Sequence, residues 1–307
     1  MGGYEEVAKG IGLDAILLTL TSPSSFHAQL EAGRINTKYS GATPTETMNY
    51  LNDVWARIRA SWARSGIKVF GFRVAEPHHD GTPHFHFLLF LRADEKKMAK
   101  DIFGRYALEL DGDEKGADKH RWDCVDIDPS KGSAAGYIAK YVSKNMDGHQ
   151  LAFDEEAQTS AQEGAMRARA WASTWGIRQF QQIGSVSVTV WRELRRVRAI
   201  SDAVPEALKA LHSAADRGDW KEFVELMGGA FVARDDQTVR PEYIETDALS
   251  GEYGDDVCRL IGVWLRPIAN ALGRFLSTRE HVWKIQPMAL SVGILEEAKR
   301  PPLDLCQ

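Results

Sequence analysis

The chain predicts an α+β fold, an antiparallel sheet covered by helices. Three observations carry this expectation. Two β-rich runs within residues 67–91 join through a turn into a hairpin. Amphipathic helical patterns flank that hairpin on both sides, and a shorter alternating run then leads into another helix-forming stretch. The resulting order of strand, helix, hairpin, helix, strand, helix suits one antiparallel sheet with helices packed on it.

In order, Leu13 to Thr21 reads as a first strand that ends at Ser22-Pro23. Thr43-Pro44-Thr45-Glu46 is a capping box with proline at the first helical position. The helix it starts spaces Met48, Leu51, Trp55, Ile58 and Trp62 for one buried face and stops at Gly66. Ile67 to Ala75 is rich in β-branched and aromatic residues, Pro77 to Pro83 carries turn chemistry around Asp80-Gly81, and His84 to Leu91 is the returning strand. Asp94 is the expected cap of a helix reaching about Leu110, and Asp111 to Gly116 is an acidic turn. Arg121 to Ile127 alternates as another strand. Ser133 then caps a helix running to about Lys144, with Gly148 just past its end. Residues 151–165 read as a polar connection. Beyond them the chain reads as mostly helical: Pro205 to Leu226 broken at Gly218, an acidic loop-rich stretch, and a helix from about Asp255 to Leu276. The expected divisions are a catalytic domain at 1–160, an Arg/Trp-rich helical extension at 161–200 and a helical region at 201–307.

Two stretches carry chemistry. Side chains at i and i+2 of a strand share a face, so His84 and His86 point one way while Phe85 and Phe87 point the other. Glu76 stands at the mouth of the same hairpin. Two imidazoles and a carboxylate make three ligands for a divalent cation and leave positions open for a phosphate oxygen. These donors do not choose among Mg²⁺, Mn²⁺ and Zn²⁺. An isolated His-x-His is a weak signal, and His78 and His79 in the loop read as surface residues or substrate contacts. The second stretch sets Tyr137 and Tyr141 one helical turn apart on one face, each followed three residues later by a lysine, Lys140 and Lys144. A phenol titrates near pH 10, so attack at neutral pH needs a neighbouring cation. Without the hairpin, two tyrosines on an amphipathic helix are more simply read as half-buried core. Beside a metal site, the pair suggests phosphodiester chemistry with tyrosine as nucleophile.

Glu76-Pro-His-His-Asp-Gly-Thr-Pro-His84-Phe-His86, with Gly136-Tyr137-Ile-Ala-Lys140-Tyr141-Val-Ser-Lys144-Asn145, resembles the replication gene A proteins of tailed phages and prophages, which are HUH endonucleases. Leu18 to His27, Arg169 to Phe180 and Val190 to Arg196 extend the resemblance over about residues 11–200. Phe85 departs from it, standing where tryptophan is expected. The resemblance implies an HUH-type sheet and a site-specific nickase and strand transferase acting on single-stranded origin DNA to start rolling-circle replication. It implies Mg²⁺ or Mn²⁺ on Glu76, His84 and His86, attack by Tyr137 or Tyr141 to give a 5′-phosphotyrosine, and Lys140 and Lys144 at the phosphate or phenolate. Host helicase and polymerase would be its partners. A transposase or relaxase would share the chemistry. A non-enzymatic DNA-binding protein would leave the histidines and tyrosines as packing.

At 307 residues the chain suffices for one large domain or two small ones, and 44% hydrophobic content supports a real core. No apolar run is long enough for a bilayer, and Ile11 to Leu20 lacks the pattern of a signal peptide. Three scattered cysteines suit the reducing cytoplasm of a bacterial host. The net charge of −5 counts against DNA binding. Its distribution does not: Arg169, Arg178, Arg192, Arg195 and Arg196 interleave with Trp171, Trp175, Phe180 and Trp191, as arginines and aromatics do on single-stranded DNA.

Overall fold

The structure, a computed structural model, describes residues 2–30, 33–146, 153–154, 159–246, 257–267 and 274–279. Its centre is a five-stranded antiparallel sheet in the order β4-β1-β3-β2-β7. These strands are β1 (Asp14–Leu20), β2 (Phe70–Pro77), β3 (Pro83–Leu91), β4 (Trp122–Asp126) and β7 (Phe180–Ile183). Every residue of β3 is buried, as the apolar pattern on both its faces requires.

The two faces bury different helices. Phe85, Phe87, Leu89 and Leu91 pack with Ile16, Leu18 and Leu20 against α2 (Pro44–Arg64) and α3 (Lys96–Ala107). The α2 capping box forms: the Glu46 amide donates to Thr43 Oγ1, and the Thr43 amide donates to the Glu46 carboxylate at 2.8 Å. Leu88 and Phe90, on the histidine face, join Leu17, Phe70 and Val74 beneath α1 (Gly2–Gly10) and α5 (Ala134–Met146). The same core takes in α7 (Val188–Leu194), α8 (Glu206–Asp216) and α9 (Trp220–Leu226), with Gly218 separating the last two as expected. At Gly71 the backbones of β2 and β3 approach so closely that a Cβ would lie 1.9 Å from the Leu88 carbonyl oxygen. Only glycine fits there.

Several expectations need correction. Asp94 does not cap α3; it lies in a 3₁₀ turn, and its carboxylate accepts from Arg92. A one-turn helix, α4 (Ala117–His120), follows the acidic turn. Residues 161–165 are not connection but the start of α6 (Ala161–Thr174), after two short paired strands, β5 (Phe153–Asp154) and β6 (Thr159–Ser160). The segment expected as a helical extension also supplies β7, so the central sheet draws its last strand from beyond residue 160. The helix expected over 255–276 is replaced by strands β9 (Val257–Leu265) and β10 (Arg274–Ser277), which pair with β8 (Val239–Thr246) in a second antiparallel sheet. Gly148 lies outside the described residues. The buried Glu193 of α7 ties this sheet to the rest, accepting from Thr278 Oγ1 and from Arg279 at 2.8 Å.

Candidate metal and tyrosine site

Directly opposed residues of an antiparallel ladder share a face. The registers put Glu76 opposite His84, and Thr19 opposite His86. Three adjacent strands therefore aim four polar side chains at one patch of an otherwise apolar surface. His84 Nε2 and His86 Nε2 stand 2.8 Å apart, and a Glu76 oxygen lies 3.9 Å from His86 Nε2. All three residues are buried, and one ligand atom from each lies within 4.8 Å of the others. Bonds of about 2.1 Å from one cation to N or O ligands imply donor separations of roughly 3.0–3.4 Å. The observed spacings bracket that range, so these residues fit a divalent ion. Thr19 Oγ1 lies 3.1 Å from His86 Nδ1, where it fixes the ring and leaves Nε2 to face the other donors.

The hairpin tip is held from several sides. Gly81, with φ of +83°, completes the turn, and the Thr82 amide donates to Asp80 Oδ1 at 3.0 Å. Asp80 Oδ2 lies 3.2 Å from His27 Nδ1. Burial would raise the Asp80 carboxyl, but His27 and the Thr82 amide outweigh it and hold the group far below the usual carboxylate range. The Trp171 indole of α6 donates to the Gly81 carbonyl at 2.8 Å. Of the two loop histidines, His79 is exposed, whereas the His78 ring stacks on His84 with centroids 4.0 Å apart.

The tyrosine helix begins as expected, with Ser133 Oγ accepting from the Gly136 amide at 3.0 Å. It crosses the histidine face, and the Tyr141 ring stacks on His86 with centroids 3.9 Å apart and planes 25° from parallel. Tyr137, one turn earlier, is half-buried against the same core. Lys140 and Lys144 fall within this helix, but their side chains are outside the described residues. At its N-terminus the Ala135 amide donates to Glu5 of α1 at 3.1 Å, a favourable position for a carboxylate at the positive end of a helix. Burial would raise Glu5; hydrogen bonds from Lys9 and the Ala135 amide hold it below its ordinary value.

The arginines expected to contact DNA are dispersed. Arg169 is exposed on α6, Arg195 lies over the Trp191 ring, and Arg196 pairs with Glu193 at 3.2 Å. Arg178 and Arg192 line a groove of about 870 Å³ beyond β7, at the end of β2 away from Glu76. Sequence reasoning assigns Thr19, His27, Asp80 and Glu5 no role at the site, although Leu18 to His27 carries part of the resemblance and Asp80 reads as turn chemistry. Thr19 had one visible signal, a hydroxyl in an otherwise apolar run between Ile16 and Leu20.

Fold and site together define a class: an α+β protein with a buried two-histidine, one-carboxylate cluster on a central sheet and a tyrosine-bearing helix laid across it. Residues 1–149 match the bacteriophage replication gene A protein (GPA) family, and the similarity to phage replication gene A proteins extends over most of the chain. It is 43% identical over 297 residues to the replication gene A protein of Escherichia phage 186, aligning 93% of this chain with 42% of that one. It is 46% identical over 266 residues to the replication protein of Haemophilus phage HP1, covering 85% of this chain and 33% of that protein. A probable replication endonuclease from a prophage-like region of Salmonella typhi is 35% identical over 305 residues, or 94% of this chain and 37% of that one. The chain thus spans about two fifths of the length of the curated relatives it matches. The aminoacylhistidine dipeptidase of Vibrio alginolyticus aligns with 69% of this chain and 50% of its own at 12% identity and a TM-score of 0.23, too loose a likeness for any argument. No helix among the described residues is long and apolar enough to cross a membrane.

Proposed function

We propose that the chain is a replication endonuclease that nicks single-stranded origin DNA by transesterification onto tyrosine, initiating rolling-circle replication in a bacterial host cell. The observation that carries this reading is the Tyr141 ring stacked on His86, which puts a phenol beside a buried cluster able to hold a cation. Glu76, His84 and His86 are the ligands for Mg²⁺ or Mn²⁺. When bound, that ion would withdraw charge from a non-bridging oxygen of the scissile phosphate. The tyrosine oxygen attacks phosphorus as its proton leaves, and the bond from phosphorus to the 3′ oxygen breaks. The 3′ oxygen takes up a proton and departs as a hydroxyl fit to prime a polymerase. The 5′ phosphate stays on the tyrosine as an ester, and the reverse reaction rejoins strands without ATP. Tyr137 and Tyr141, one turn apart, allow a second cleavage while the first ester persists. Lys140 and Lys144 lie in sequence where their ammonium groups would stabilise the phenolate or the phosphate charge. The Salmonella typhi relative, named a probable replication endonuclease, supports the same reading.

The test is a denaturing gel with labelled single-stranded origin DNA in Mn²⁺, Mg²⁺ or EDTA. A metal-dependent covalent adduct should form with wild type and vanish in the Tyr137→Phe/Tyr141→Phe double variant. Cleavage that survives in the double variant would mean that water is the nucleophile and would refute the tyrosine mechanism.

A further inference from the structure

The groove beyond β7 has no part in the chemistry above. It runs between the edge strands of two sheets, β7 of the central sheet and β8 of the C-terminal one. Arg59, Lys68, Arg178, Arg192, Arg234 and Arg240 line it, and among the described residues no aspartate or glutamate does. Arg240 pairs with Asp235 at 3.4 Å. Among the described residues the other five have no carboxylate within ion-pair distance. Asp236, two residues from Arg234 in sequence, is taken by Arg266 at 2.9 Å.

The charge extends below the surface. Arg73 of β2, almost fully buried, donates to the Arg178 carbonyl at 3.4 Å. Burial lowers its guanidinium to about 10, and the neighbouring charges of Arg178 and Arg59 push in the same direction. Two aromatic rings in the groove are exposed to solvent, Phe180 at 37% and Tyr243 at 45%. Cations that neutralise a backbone, alternating with rings on which bases stack, are what an unpaired nucleic-acid strand requires. An acidic protein segment would use the cations and leave the rings idle.

We infer that this groove is a second, non-catalytic binding site for single-stranded DNA. It lies along β2 from the metal cluster: Phe72 lines it, and Glu76 is four residues further, roughly 13 Å along an extended strand. One strand can therefore occupy the groove and the cluster together. The inference rests on the proposed function for the identity of the ligand, and its test is separable from that reading.

The experiment is fluorescence anisotropy of a labelled oligo(dT) with the whole chain in EDTA, so that binding is read without cleavage, over a range of salt concentrations. The triple variant Arg178→Gln/Arg192→Gln/Arg234→Gln should bind at least about tenfold more weakly. Its plot of log affinity against log salt should flatten by roughly 2, since each phosphate contact on a single strand contributes about 0.7 to the slope. A control variant, Lys97→Gln/Lys115→Gln/Lys119→Gln, loses the same charge from exposed positions outside the groove and should match wild type. Phe180→Ala/Tyr243→Ala should weaken binding without changing the slope. An unchanged triple variant overturns the inference, as does an equal loss in the control. Displacement of the oligonucleotide by polyglutamate as readily as by unlabelled oligo(dT) would assign the groove to an acidic protein instead. Equal displacement by duplex DNA would overturn its single-strand character. Groove-dependent binding in a wild type that forms no covalent adduct would refute the proposed function and leave the groove standing. An adduct with groove-independent binding would do the reverse.

Discussion

Thr19→Val isolates one hydrogen bond of the candidate metal site. The substitution keeps the shape of the side chain and the β-propensity of β1 but removes the hydroxyl 3.1 Å from His86 Nδ1. When Nε2 faces a metal ion, Nδ1 carries the ring proton and donates to Thr19. His86 is 7% exposed, so little water can replace the lost acceptor. Leaving a buried donor unsatisfied costs about 1–3 kcal/mol, which corresponds to roughly 5- to 150-fold in affinity. Groups that hold ligands in place typically contribute about 10- to 100-fold. The expected result is a Kd for Mn²⁺ weakened by about 10- to 100-fold in isothermal titration calorimetry. His84→Ala should reduce binding further by removing a donor outright. Metal-free thermal unfolding of Thr19→Val serves as the control, because the variant must remain folded for the comparison to count. A folded Thr19→Val that binds Mn²⁺ within about twofold of wild type, a difference of only ~0.4 kcal/mol, would refute the assignment of Thr19 as the residue that orients His86.

Two further predictions concern the frame around the site. Gly71→Ala should destabilise the fold by roughly 1–3 kcal/mol or more in urea denaturation, because its Cβ collides with the Leu88 carbonyl and pushes β2 off β3; an unchanged midpoint would contradict that close approach. Glu5 is held below its ordinary value when folded, so its contribution to stability is complete above the unfolded value of about 4.3 and is lost as pH falls through the lower folded value. Thermal melts of wild type and Glu5→Gln should therefore differ at neutral pH and converge only once the pH has fallen below the lowered folded value of Glu5. A gap that stays constant with pH would show that the Glu5 charge does not support the tyrosine helix.

Much of the site was legible because strand periodicity is unambiguous. His84 and His86 had to share a face, and Glu76 near a short turn had to lie close to them. The Thr43–Glu46 capping box likewise left little choice about the start of α2. Thr19 could be recognised only once β1 was known to pair with β3 in one register, a long-range fact absent from local pattern. Val257–Leu265 misled for a different reason. Its nine residues form an almost unbroken apolar run, which carries no period to separate a strand from a buried helix. Only pairing with β8 and β10 decides the matter. β7 was hidden by its length of four residues amid arginine and tryptophan, a composition that suggests a surface rather than a sheet edge. α1 escaped notice because a nine-residue helix with three glycines has weak intrinsic preference; Tyr4, Val7 and Ala8 hold it by burial.

The tyrosine helix is threaded between β4 and β7, the strands at opposite edges of the central sheet. It is moored at both ends and clasped along its length by α1, α6 and the sheet. A DNA strand esterified to Tyr137 or Tyr141 and drawn taut by a moving polymerase would load that helix mechanically. Neither anchor is a free chain end, so the load would pass into both edges of the sheet rather than to a loose terminus. Under the proposed function, such a mooring would hold the helix in place while the DNA ester on it awaits resolution.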